Sequence, residues 1–213
     1  MEKLTSSFKN MLISLLSISV FSALTLGSVY TLTKDPIEKS KNAKLENAIK
    51  EVLPKFDHLD AAEKISVNNG DTLNVYRAYD KNNVFVGAAV ETNSKKGFAG
   101  EIKLMVGFDK NGNIINYSIL EQKETPGLGS KMTDWFKTPH GKQDIRGKNP
   151  AVNNLSVTKD GGEIDAITAA TISSRAFLEA VNKAYQAYAN NPNAPKAQDA
   201  NSGASQISKK EQE

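Results

Sequence analysis

Asp165-Ala166-Ile167-Thr168-Ala169-Ala170-Thr171-Ile172-Ser173-Ser174 sets a turn of small and hydroxyl-bearing residues directly before an amphipathic segment. Phe177, Ala180, Val181, Ala184, Tyr185 and Tyr188 follow at helical spacing, which predicts a helix starting near the end of the quoted stretch. The hydroxyls therefore fall at a helix N-terminus, where orphan N–H groups and the macrodipole favour an anion. The ordinary alternative is that Ser173 or Ser174 is simply the N-cap.

Upstream, Gly97-Phe-Ala-Gly100-Glu-Ile102 runs through Leu104–Phe108 into Asp109-Lys-Asn-Gly112 and Ile114–Leu120. This pattern predicts a β-hairpin closed by an Asn-Gly turn. Glu124-Thr-Pro-Gly-Leu-Gly129 comes next, and its proline and glycines force a loop, ordinarily a plain turn. Leu73–Tyr79 and Val84–Val90 alternate as strands around an Asp80–Asn83 turn, and Val152–Val157 predicts a further strand. Thr133–Asn149 is mixed, with Trp135 and Phe136 expected to pack on the core. The reading is a single α+β domain of antiparallel strands with flanking helices.

From Asn10 to Thr33 there is no charged residue. Residues 11–32 predict one transmembrane helix, since about 1.5 Å per residue crosses a hydrocarbon core of about 30 Å. A cleaved signal peptide is the competing reading, but the apolar run exceeds a usual h-region, which favours a retained anchor. Its hydroxyls predict either hydrogen bonds to another helix or bonds back to their own backbone. Lysines flank both ends, at Lys3 and Lys9 and again from Lys34 to Lys44, so charge does not orient the span. Asp35–Leu53 reads as a charged helix with Leu45, Ala48, Ile49 and Val52 on one stripe, stopped by Pro54. Residues 191–213 hold almost no large apolar side chain and are expected to be disordered.

Composition narrows the chemistry. With no cysteine, the 213-residue chain has no thiolate nucleophile, disulfide or cysteine-ligated cluster. Two histidines far apart make a metal site a poor reading. A net charge of +3 is too small to imply nucleic-acid binding, and no P-loop or dinucleotide fingerprint occurs.

The Asp165–Ser173 stretch resembles the flavin-attachment motif of FMN-binding domains. That family includes the G subunit of the Rnf electron-transport complex and the C subunit of the sodium-pumping NADH:quinone reductase. Asp165, Thr168, Ala170 and Thr171 match the motif in order and spacing, and Ile172-Ser173 continue it. The departure is Ala169, where the family usually has glycine; alanine disfavours positive φ, which predicts a helix-compatible turn here. The GFAGEI, VGFDKNGNI and ETPGLGSK phrases are similar to the signature of the Rnf G subunit, although that family often has a histidine shortly before ETPGLG.

The resemblance implies FMN bound covalently through a phosphoester to Thr171, after the action of a separate flavin transferase. Thr168, Ala170, Ile172, Ser173 and Asp165 are further cofactor-site candidates, as are Glu124, Thr125, Leu128 and Gly129. No residue is assigned a catalytic role. It further implies a flavoprotein subunit of a membrane-bound, ion-translocating electron-transport complex, beside integral-membrane, iron–sulfur and flavin subunits. The implied placement is the inner membrane: residues 1–10 cytoplasmic, 11–32 spanning, and an FMN-binding domain at 33–190 on the extracytoplasmic, periplasmic side. The C subunit of the quinone reductase and a membrane-tethered module without redox chemistry are the alternatives.

Overall fold

The computed structural model describes residues 8–67 and 70–190. The expected disordered tail from residue 191, and residues 1–7 of the expected cytoplasmic segment, lie outside them. The chain divides after Glu46 into two compact units. One helix, α1 (Phe8–Val52), runs through the division, joining the expected span to the expected charged helix across Pro36.

Within the first unit the large apolar side chains face outward, with Phe21 73% and Leu26 75% exposed. No protein core covers them, and the helix is long and apolar enough to cross a membrane. Its hydroxyls bond their own helix. Ser17, Ser19, Thr25, Ser28 and Thr33 each donate 2.8 Å bonds to the carbonyl four residues back. Of the two uses expected for these groups, the structure therefore shows the local one.

The second unit is an antiparallel sheet of six strands: β1 (His58–Leu59), β2 (Glu63–Ser66), β3 (Thr72–Tyr79), β4 (Phe85–Ser94), β5 (Ile102–Asp109) and β6 (Ile114–Glu121). The spatial order is β1-β3-β4-β5-β6, with β2 also paired to β3. β1 and β2 are too short to carry an alternation signal and lie outside the strands that the sequence pattern predicts. Alternation sorts the strands' residues onto two faces. Leu104, Val106 and Phe108 of β5, with Val90 of β4 and Val75 of β3, point into the main core under helix α3 (Thr171–Ala189). Ala78, Ala89 and Met105, on the alternate positions, are buried on the other side, where the last turn of α1 contributes Ala48, Ile49 and Val52. Gly107 lets that turn approach, since a Cβ there would collide with the Val52 carbonyl.

The β5–β6 connection is a glycine turn as predicted. Gly112 sits at φ +82, and Asp109 Oδ1 accepts the N–H groups of Asn111 and Asn113. The predicted strand at 152–157 does not form. Val152 is 82% exposed, and only Val157 bridges, to Ile164. Asparagine side chains divert the backbone there: Asn153 Oδ1 accepts the Asn149 N–H, and Asn149 Oδ1 accepts the Ala151 N–H. Trp135 and Phe136 end the short helix α2 (Met132–Trp135); Phe136 is fully buried and stacks on Phe177 at 4.3 Å.

Candidate functional site

Helix α3 begins at Thr171, ahead of both serines. The N-cap is Ala170, without a side-chain cap bond, so neither Ser173 nor Ser174 caps the helix. Both turn inward instead. Ser174 is fully buried; its Oγ accepts the Ile167 N–H at 2.9 Å and donates to the Ala170 carbonyl at 3.0 Å. That hydroxyl locks the preceding turn from beneath. Ser173 Oγ donates to Glu124 Oε2 at 2.5 Å.

The turn departs from the helix-compatible expectation. Ala169 adopts φ +60, the left-handed conformation for which glycine carries no steric cost. The reversal it makes between the Ala170–Ile167 hydrogen bond and the first turn of α3 is imposed by burial of Ile167 and Ala170 on the core. Tertiary packing therefore overrides the local preference of alanine.

A cavity of about 340 Å³ opens at this helix start. Ala169–Ser173 form one wall, Glu124, Thr125, Leu128 and Gly129 a second, and Phe98 a third. Eight of the ten candidate residues thus meet around one space. The other two do not line it. Thr168 is exposed on the outside of the turn. Asp165 faces the 140–142 loop: its Oδ2 accepts the Lys142 N–H at 2.8 Å, while its carbonyl accepts Trp135 Nε1–H at 3.0 Å. Phe98 and Ala169 complete the lining and are not among the ten candidates. Phe98 lay inside a glycine-flanked phrase whose loop geometry gave no periodic signal.

The chemistry of the walls is sharply divided. Phe98, Leu128 and Ile172 are 68%, 40% and 49% exposed, an apolar rim that fits a flat aromatic ligand. The floor holds the buried Glu124 carboxylate. Thr171 is half-buried, and among the described residues its hydroxyl makes no hydrogen bond, so it is available to a ligand. Because it occupies the first position of a long helix, the backbone N–H groups beside it favour a phosphate. Apolar rim, free hydroxyl and helix start together fit a flavin mononucleotide.

A shallower depression of about 560 Å³ lies along the outer face of α3 and shares Ile172. Ion pairs close its edges, Arg175 with Asp160 and Lys96 with Glu179, each at 2.7 Å. Burial raises the Glu179 pKa, but hydrogen bonds from Lys96 and Ser94 outweigh it and leave the net shift downward. Among the described residues no group of three or more His, Asp or Glu side chains could hold a metal ion.

Residues 97–186 match the FMN-binding domain family. The G subunit of the ion-translocating oxidoreductase complex of Aliivibrio fischeri (strain MJ11) is 32% identical over 195 residues, covering 86% of this chain and 90% of its own. Its counterpart from Pasteurella multocida (strain Pm70) is 34% identical over 189 residues, covering 84% and 91%.

The chain belongs to the family of G subunits of ion-translocating oxidoreductase complexes.

The G subunit of Vibrio cholerae (strain M66-2) agrees, at 33% identity over 197 residues. The crystal structure of Shewanella oneidensis NqrC is more distant, with 22% identity and a TM-score of 0.39 over 53% of this chain and 55% of that one. Family membership bears out the resemblance carried by the two motifs. The FMN-binding match at 97–186 also encloses every cavity residue named above.

Proposed function

We propose that this chain is the flavoprotein subunit of a membrane-bound, ion-translocating oxidoreductase complex, and that it holds FMN through a phosphoester on Thr171. The observation that carries the attachment is the free Thr171 hydroxyl at the first position of α3, on the wall of an apolar-rimmed cavity. FMN supplies the electron-carrying chemistry when bound; the protein holds it and sets its surroundings.

A free threonine hydroxyl is a weak nucleophile, and no carboxylate or imidazole bonds to Thr171 among the described residues. Activation therefore comes from outside the chain, from a Mg²⁺-dependent transferase with FAD as donor. In that transfer the Thr171 Oγ–P bond forms, the pyrophosphate P–O bond breaks, and AMP leaves with the hydroxyl proton lost to the transferase's base. Asp165 shapes the turn that presents Thr171, by fastening it to the 140–142 loop. The domain lies outside the cytoplasm, where a covalent link prevents loss of a dissociating cofactor.

The test is a denaturing gel and an intact mass on chain purified from native membranes. Wild type should fluoresce and weigh one FMN more, less one water. Thr171→Ala should lose both signals, and Thr168→Ala should retain at least part of them. Flavin surviving denaturation in Thr171→Ala would overturn the attachment site.

A further inference from the structure

Glu124 is an unusual wall for a ligand cavity. Its residue is only 5% exposed, yet it carries a carboxylate. Both oxygens are engaged inside the protein: Oε1 accepts the Ala99 N–H at 3.0 Å, and Oε2 accepts Ser173 Oγ–H at 2.5 Å. The backbone N–H of Glu124 is tied in turn to Gln122 Oε1 at 2.6 Å. One side chain thereby joins three segments that are remote in sequence. These are the 97–100 loop, the 124–129 loop and the first turn of α3.

Two glycines lie against that carboxylate, although the Gly100 carbonyl crowds a Cβ on Gly97 more closely still. A Cβ on Gly97 would lie 2.7 Å from Oε1, and a Cβ on Gly129 would lie 2.6 Å from both Oε2 and Ser173 Oγ. Each of the three joined segments also contributes one apolar rim residue: Phe98 stands beside Ala99, Leu128 beside Gly129, and Ile172 beside Ser173. The five exposed large hydrophobic side chains beyond α1, among the described residues, include these three. Phe98 and Leu128 on their loops and Ile172 on the first turn of α3 project outward, with no core packing to hold the three side chains together. The carboxylate beneath them does.

We propose that Glu124 is a positioning residue, which acts through Ala99 and Ser173 to hold Phe98, Leu128 and Ile172 as one preformed rim before the cofactor arrives. This rests on the flavin reading only for the identity of the ligand. The keying itself is a property of the cofactor-free chain. A buried carboxylate whose acceptors are matched by two donors is favourable in place. Truncating it leaves the Ala99 N–H and the Ser173 hydroxyl without partners.

The experiment uses the full-length chain in detergent, made with and without co-expressed flavin transferase. Amide hydrogen exchange is followed on the cofactor-free form, and visible absorption and fluorescence on the flavinylated form. In Glu124→Ala, exchange across 97–100 should rise at least tenfold while Ala180–Ala187 stay protected, and the attached flavin should move toward the spectrum of free FMN in water. Glu124→Gln should restore both readouts at least in part, because an amide can accept from Ala99 while its NH₂ donates to Ser173 Oγ. Should Glu124→Ala fail to fold, Ser173→Ala removes one arm of the clasp and should show the same changes in weaker form. Unchanged exchange across 97–100 in the folded variants, or a wild-type spectrum in all of them, would overturn the proposal. A wild-type chain without flavin would overturn the flavin reading alone, because the exchange arm still decides the clasp.

Discussion

Single residues decide how Thr171 is presented. Ala169 carries a Cβ in the left-handed region at φ +60. That conformation costs an L-residue roughly 1–2 kcal/mol, partly offset because glycine is more costly to order. Ala169→Gly should therefore stabilise the domain by about 0.5–1 kcal/mol in urea unfolding. A destabilised variant would mean that this backbone is not left-handed. Gly129 works in the opposite sense: with 2.6 Å to Glu124 Oε2, any side chain must displace the buried carboxylate. Gly129→Val should both lower stability, by about 2 kcal/mol or more, and disturb the spectrum of bound flavin. An unchanged spectrum in the folded variant would separate the 124–129 loop from the cofactor.

At the scale of elements, the last turn of α1 and the inner face of α3 cover opposite faces of one sheet. The α1 side depends on Gly107, with Glu51 as a polar clasp that accepts from Ser118 Oγ at 2.6 Å and Lys137 Nζ at 2.9 Å. Gly107→Val should cost at least about 3 kcal/mol, because a backbone carbonyl cannot give way as a flexible side chain can. Thermal unfolding within a degree of wild type would refute that close approach. On the α3 side, Tyr188 packs on Phe108 and donates to the Asp109 carbonyl at 2.9 Å. Burial, then the charge of Asp109, pushes its pKa up to about 12. A phenol that is harder to ionise folded than unfolded contributes stability present below its unfolded pKa of about 10 and lost as pH rises above it. For Tyr188 that window runs from pH 10 to about 12. Tyr117, also raised by burial, adds a loss in the same direction. Tyr188→Phe should therefore flatten the fall in stability across this window, measured as the difference from wild type in urea midpoints at successive pH values. Parallel curves would contradict the shift.

For the whole molecule, the division after Glu46 has a practical consequence. A chain starting at Lys44 keeps the turn that buries Ala48, Ile49 and Val52, and should fold without detergent. A chain starting at Lys55 exposes Met105 and Ala89, and should lose at least about 4.5 kcal/mol, from Ile49, Val52 and Leu53 at about 1.5–3 kcal/mol each. Equal urea midpoints for the two truncations would mean that the last turn of α1 does not complete the core. The full chain should keep its N-terminal helix in the membrane, with external protease removing the domain once the outer barrier is permeabilised; full protection would contradict the proposed side.

Much of this architecture was legible in one dimension. Strand alternation, the Asn-Gly turn, the apolar run and the helical stripe of α3 are each local, and each reports one period or one backbone preference. The Asp165–Ser173 stretch and the ETPGLG loop were also readable as patterns of residue type. Nothing local announces that Glu124 bonds Ser173, 49 residues away, or that Phe98 completes the rim. The left-handed Ala169 and the inward serines ran against local preference as well, because burial of Ile167, Ala170 and Ser174 outweighed about 1 kcal/mol of conformational cost. Periodicity and backbone preference determined which elements form. Long-range burial and the satisfaction of a buried carboxylate decided which residues face one another across the cavity.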